Sequence, residues 1–131
     1  MSEENVEIVR ANYESFNRTH EVDQDAFHPD IEWHTRADLP DSGTHRGHDG
    51  VAQLFSSWVE AFEDLRVDPV ELIDAGDLVV AVVRLGGGIR GSGQDVEMEE
   101  THVWREVDGR ATEVREYQTK REALEAVGLD G

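Results

Sequence analysis

From Val96 to Gln118 the side chains alternate in character around a single Asp108-Gly109 pair, and this stretch constrains the fold more than any other. Alternation with a period of two marks strands, and Asp-Gly between two such runs joins them into a hairpin. Met98, Glu100, His102 and Trp104 share one face of the first strand, because successive side chains point to opposite faces. On the returning strand Thr112, Val114, Glu116 and Gln118 share a face with one apolar anchor and one charge, whereas Glu113, Arg115 and Tyr117 read as the wetter side. A two-residue loop of Asp108 and Gly109 sets His102 opposite Arg115. A three-residue loop of Val107, Asp108 and Gly109, a type I turn closed by a left-handed glycine, sets it opposite Val114. The second is the expected register, because it turns Val114 rather than Arg115 inward. Glu100 and Glu116 then stand directly opposite, with Cβ atoms roughly 5 Å apart. Glu100, His102, Trp104 and Glu116 converge on one concave surface, which makes a candidate acid/base site.

Upstream, residues 3–18 read as a helix. Ser2 can cap it, Glu3 and Glu4 suit its positive end, and Val6, Val9, Tyr13 and Phe16 recur at helical spacing on a core-facing stripe. A short second helix is expected around Val22–Phe27, ending at His28-Pro29. A strand Ile31–Thr35 follows, with Ile31, Trp33 and Thr35 on one face. Residues Arg36–Gly50, punctuated by Pro40, Gly43 and Gly47, read as an irregular loop able to act as a lid. Val51–Phe62 is a second long helix with Val51, Leu54, Phe55, Trp58, Val59 and Phe62 on one side. The remainder is strand: Arg66–Asp74, a turn at Ala75-Gly76-Asp77, Leu78–Leu85, a bend at Gly86-Gly87-Gly88, and the hairpin. Glu122–Val127 closes as a short helix stopped by Gly128. Helices first and a long antiparallel meander afterwards predict an α+β fold in which helices cover one face of a curved sheet. With 131 residues the chain is a single domain, 1–131, able to bury a core without staples.

Composition removes several function classes. There are no cysteines, so disulfides, zinc–thiolate sites and cysteine nucleophiles are excluded. The formal charge of −18 argues against nucleic acid or anionic membranes as partners, because there is no basic patch to release counterions. Lys120 is the one lysine among twelve Lys and Arg residues, a bias that fits a high-GC or salt-adapted proteome. Met1-Ser2-Glu3-Glu4 lacks the features of a signal peptide, and no apolar run reaches membrane-spanning length, so a cytoplasmic protein is expected. His45 and His48 sit three apart on an irregular loop without a fixed helical face, so no metal site is expected. Gly86-Gly87-Gly88 joins strand to strand and opens no helix, so it is no phosphate cradle.

The order of elements resembles the SnoaL-like branch of the nuclear-transport-factor-2-like superfamily along nearly the whole chain. The segments that carry the resemblance are His28-Pro29-Asp30-Ile31-Glu32-Trp33-His34, Arg46-Gly47-His48-Asp49-Gly50-Val51, Ile73-Asp74-Ala75-Gly76-Asp77, His102-Val103-Trp104-Arg105, Asp108-Gly109-Arg110 and Glu122-Ala123-Leu124-Glu125-Ala126-Val127-Gly128-Leu129. The resemblance implies a cone whose mouth opens between helices and concave sheet, commonly dimerised through the sheet. The superfamily spans cyclases, isomerases, epoxide hydrolases, dehydratases and noncatalytic binding modules, so function rests on the site rather than the fold.

Carried over residue by residue, the acid/base carboxylate of SnoaL-type cyclases, seven residues after the turn glycine, falls on Glu116. The oxyanion donor of ketosteroid isomerases falls on His102. Their base falls near His34 or Thr35, where no carboxylate stands, and their oxyanion tyrosine near Asn12 or Tyr13. The expectation is a cofactor-independent cyclase/isomerase-type enzyme in which Glu116 moves a proton next to a carbonyl that His102 polarises. Its hydrophobic pocket, for a polyketide- or steroid-like ligand, would be walled by Glu100, Trp104, Trp33, His34, Tyr13, Trp58 and Gln118. The alternatives are a noncatalytic ligand-binding module using the same pocket and a dimeric interaction module, the latter favoured by a cone sealed by side chains. Glu100 and Glu116 would then lie at a wet edge paired with Arg84 or Arg115. Thr101, Val103 and Tyr117 on the second sheet face point to a homodimer packed sheet to sheet.

Overall fold

The computed structural model describes residues 2–38 and 43–129. Helical spacing of Val6, Val9, Tyr13 and Phe16 yields α1 (Ser2–Thr19), whose buried stripe lies against the sheet. Next come β1 (Phe27–His34), β2 (Thr44–Arg46), α2 (Gly47–Ala61), β3 (Phe62–Ala75), β4 (Leu78–Ile89), β5 (Asp95–Val107), β6 (Arg110–Tyr117) and α3 (Lys120–Ala126). The six strands form one curved, unclosed sheet in the order β2-β1-β6-β5-β4-β3. Every neighbouring pair is antiparallel except β1 and β6, which run parallel. The α+β architecture expected from the sequence is what forms.

The main core lies between the concave face and the two long helices. Val9, Tyr13 and Phe16 of α1 and Val51, Leu54 and Phe55 of α2 meet Ile31, Trp33, Val79, Ala81, Val83, Trp104 and Val114 from the strands. A second, smaller core occupies the opposite face, where Ala123 and Leu124 of α3 cover Val80 and Val103. Thr119 caps α3 by accepting the Glu122 backbone N–H, and Gly128 ends that turn at a φ of 79°, which a side chain disfavours. Thr101 and Val103, expected at a dimer face, are therefore already buried within the chain.

Four expectations are corrected. Residues Val22–Ala26 are not helical: the Asp23 carboxylate accepts the Asp25 N–H, Asp23 O accepts the Ala26 N–H, and Phe27 opens β1. This local turn wins because Asp bonds its own downstream backbone more readily than it enters a helix. The Arg36–Gly50 segment is not wholly irregular, since Thr44–Arg46 pairs with β1 and α2 already begins at Gly47; Pro40 and the Ser2 side chain lie outside the described residues. The glycine triplet is not a bend. It continues β4, and a Cβ on Gly87 would stand 3.0 Å from Glu63 O and 3.3 Å from Leu65 Cα, so this glycine makes room for the bulge in the neighbouring β3. The hairpin register is the fourth. Asp108 and Gly109 both have positive φ and form a two-residue loop with Val107 opposite Arg110, and a bulge then admits Thr112 unpaired. His102 consequently faces Glu116, and Trp104 faces Val114.

Candidate active site at the mouth of the cone

The bulge keeps Glu116 and Val114 on the concave face, so Glu100, His102, Trp104 and Glu116 do converge there, all buried. Glu100 and Glu116 are not direct cross-strand partners, because the added residue moves Glu116 opposite His102. A carboxylate oxygen of each glutamate and a ring nitrogen of His102 lie within 4.8 Å of one another.

Hydrogen bonds tie this cluster together. Trp104 Nε1–H donates to the Tyr13 hydroxyl at 2.7 Å, and an indole nitrogen can only donate. The Tyr13 hydroxyl also lies 2.8 Å from His102 Nδ1, and because a phenol both donates and accepts, this contact serves that nitrogen with or without a proton. His102 Nε2–H donates to Glu100 Oε1 at 3.0 Å, and Arg36 Nη1 donates to Glu100 Oε2 at 3.3 Å. Arg36 is itself held by Asp38 at 2.6 Å. Burial alone would raise the Glu100 pKa, but the hydrogen bonds and charges of His102 and Arg36 outweigh it and hold this carboxyl below its ordinary value.

Glu116 is the opposite case. It accepts the Trp33 indole N–H at 2.6 Å and, among the described residues, pairs with no Arg or Lys side chain; burial raises its pKa against the pull of His102, that indole bond and a backbone bond from Arg36, and the charge of Glu100 adds to the rise. Two carboxylates in one cluster are thus pushed apart, one ionised and one prone to hold its proton. Tyr13 is raised well above a free tyrosine, chiefly by burial, and stays neutral.

A cavity of about 570 Å³ opens beside this pair, lined by Thr35, His45, Leu54, Ser57, Trp58, Phe62, Leu65, Leu85, Val96 and Met98 with Glu100 and Glu116 at its polar end. Of the expected ligand-facing residues, Glu116, Glu100 and Trp58 line this cavity. Trp33, Tyr13, Trp104 and His102 stand behind it around a void of only about 20 Å³, in a packed aromatic layer. His102 is 1% exposed with both ring nitrogens bonded, so in this arrangement it reaches the cavity through Glu100 and does not itself face a carbonyl there. His34 and Gln118 line an adjoining cavity of about 420 Å³ that shares Thr35 and Glu116 with the first. The pairings with Arg84 and Arg115 do not form. Arg84 meets Glu97 and Glu99, and Arg115 meets Glu113. Sequence reasoning missed Arg36, whose only signal was its place just after the first strand.

A curved sheet wrapped over α1 and α2, with a buried acid pair at the cone's mouth, defines an α+β protein of the nuclear-transport-factor-2-like class. Residues 9–114 match the SnoaL-like domain, and the chain belongs to that family. No functionally curated protein matches it significantly. Among solved structures it is similar to an NTF2-like protein of unknown function from Burkholderia pseudomallei, at 28% identity over 94% of this chain and 96% of that one, with a TM-score of 0.71. TerC, crystallised with polyporic acid, is 26% identical over 95% and 98% of the two chains, with a TM-score of 0.74. A protein assigned to the SnoaL-like polyketide cyclases of Jannaschia shares the fold at 20% identity, 97% and 93% coverage and a TM-score of 0.71.

Proposed function

We propose that this protein is a cofactor-independent enzyme of the cyclase/isomerase type, in which Glu116 carries a proton to and from a carbon next to a carbonyl of a largely apolar ligand. The observation that carries this reading is a buried carboxyl with a raised pKa and, among the described residues, no Arg or Lys partner, lining a largely apolar cavity. A base of raised pKa is matched to the weak acidity of such a carbon. The electron pair left by that proton moves into the carbonyl; it returns by reprotonation at another carbon in a double-bond shift, or by attack on a second carbonyl carbon in ring closure.

Glu100 stays ionised beside Glu116 and disfavours its ionisation. His102 is a positioning residue: with Tyr13 and Trp104 behind it, it holds the Glu100 carboxylate in place. Polyporic acid in TerC supports a ligand of comparable chemistry, and the cavity is open rather than sealed, which speaks against a pure interaction module. One observation favours a noncatalytic ligand-binding module instead: both nitrogens of His102 are already bonded within the protein, leaving the oxyanion without that donor.

The test starts from ligands that co-purify, identified by native mass spectrometry. Glu116→Gln keeps shape and removes the proton carrier, so it should abolish turnover while leaving binding within about tenfold. Undiminished turnover ends the enzyme assignment and leaves the binding module. The reading includes a cytoplasmic location and a homodimer packed through the part of the outer sheet face that α3 leaves uncovered. Light scattering should give twice the chain mass, and high salt should not dissociate it, since screening relieves repulsion between two chains of charge −18.

A further inference from the structure

On the outer face of the sheet, opposite Trp33 and Val114, a second titratable cluster plays no part in the proton transfer proposed above. Glu32 and His34 are two apart on β1, and Glu113 is the β6 partner of Glu32. Two carboxylates side by side on adjacent strands repel, and among the described residues His34 stands between them. Its Nε2 is 3.4 Å from Glu32 Oε1 and 3.6 Å from Glu113 Oε2; that atom is buried and, among the described residues, has no hydrogen-bond partner, while the side chain as a whole is 20% exposed.

Neither contact makes a hydrogen bond, and the separations suit ligands sharing one ion. Two donors bound at 2.0–2.1 Å to a tetrahedral centre lie roughly 3.3–3.4 Å from each other. The other ring nitrogen supports this. Nδ1 is 2.9 Å from Thr44 Oγ1, an outer partner of the kind that fixes the tautomer of a ligating histidine. If Nδ1–H donates to Thr44, the lone pair on Nε2 points between two carboxylates, an arrangement that a cation relieves.

We infer that Glu32, His34 and Glu113 form a site for a zinc-class divalent cation, with solvent as the fourth ligand. The donor set of one imidazole and two carboxylates suits zinc, cobalt or nickel better than the oxygen-only preference of magnesium or calcium. Arg46 bonds the outer oxygen of Glu32, Oε2, at 3.4 Å, and Arg115 bonds both oxygens of Glu113, Oε1 at 3.2 Å and the His34-facing Oε2 at 3.3 Å, where it competes with a cation. They hold the carboxylates in place and limit the affinity. A bound ion would pin β1 to β6 just before Thr35 and Arg36, and so steady the segment that delivers Arg36 to Glu100.

The test uses untagged full-length protein stripped with a chelator and then titrated with zinc chloride by calorimetry. One site per chain is expected, with a Kd on the order of micromolar and a Tm rise of roughly 5–10 °C at about 100 times Kd. His34→Gln and Glu113→Gln should each weaken binding at least about 30-fold, whereas Glu100→Gln should leave it unchanged, which separates this cluster from the inner one. Cobalt chloride on the unaltered protein should give the intense visible bands of a tetrahedral site, a readout that needs no variant. No saturable zinc binding, or binding that survives His34→Gln, overturns the proposal. Binding lost in Glu100→Gln does the same and moves the ion to the inner cluster.

Discussion

The indole N–H of Trp33 meets Oε2 of Glu116 at 2.6 Å, and it is a side-chain donor on a carboxyl whose pKa burial has raised. Trp33 comes from β1 and Glu116 from β6, so the parallel pairing of these strands is what brings donor and acid together. The bond favours the charged form.

Trp33→Phe keeps an aromatic ring and removes that donor. The Glu116 pKa should rise further, and the ascending limb of the pH–rate profile should move to higher pH by about one unit. A profile that does not move would show that another group titrates in catalysis.

Tyr13 links Trp104 to His102, and Tyr13→Phe leaves both the indole N–H and Nδ1 without partners in a buried layer. Two orphaned polar groups make the cost about 2–4 kcal/mol, beyond the ~1 kcal/mol of one ordinary hydrogen bond. Urea denaturation of the variant beside the parent protein measures it.

Glu106 is 4% exposed, with neither carboxylate oxygen partnered among the described residues, and burial pushes its pKa from 4.5 up to about 7. The folded chain therefore holds this proton longer than the unfolded one. Its contribution is full below 4.5 and is lost as the pH rises to about 7, a change of about 3 kcal/mol. Glu106→Gln removes this dependence, so its stability relative to the parent should increase between about pH 5 and pH 8 by that order. Denaturation series at both pH values decide it.

Trp58 shares a helix stripe with Phe55, but its place differs from that expected of a core tryptophan. Phe55 is buried in the main core, while Trp58 is half-buried and faces the cavity. Phe55→Ala should cost about 3–5 kcal/mol, and Trp58→Ala less, about 1–3 kcal/mol, with its larger effect on ligand affinity. Equal melting losses would contradict this division of wall and core.

The faces of the hairpin were legible in the sequence because a strand has only two, and turning Arg115 inward costs far more than turning Val114. The partner of each residue was not. A two-residue loop followed by a one-residue bulge reaches the same faces as a three-residue loop, and nothing in Asp108-Gly109-Arg110-Ala111-Thr112 distinguishes the two. The site shows the same division. Glu116, Glu100 and His102 were found from spacing, yet the bond on His102 Nδ1 comes from Tyr13 of α1 and the guanidinium that holds Glu100 comes from Arg36, both far along the chain. Likewise the glycine triplet read as a bend because its reason, the close passage of Glu63 and Leu65, is a tertiary contact.

The side-chain amide of Asn17 on α1 answers both backbone groups of Val67, donating to its carbonyl at 3.0 Å and accepting its N–H at 2.8 Å. Val67 belongs to β3, the outermost strand on that side, where a rung of the ladder would otherwise be open to a stranger. Two residues on, Pro69 offers no donor, and the register slips between it and Glu71. The other border of the sheet, β2, is three residues long. Neither border is a template on which a second chain can lengthen the sheet, so edge-to-edge polymerisation is closed off by a helix that carries a counterfeit peptide group.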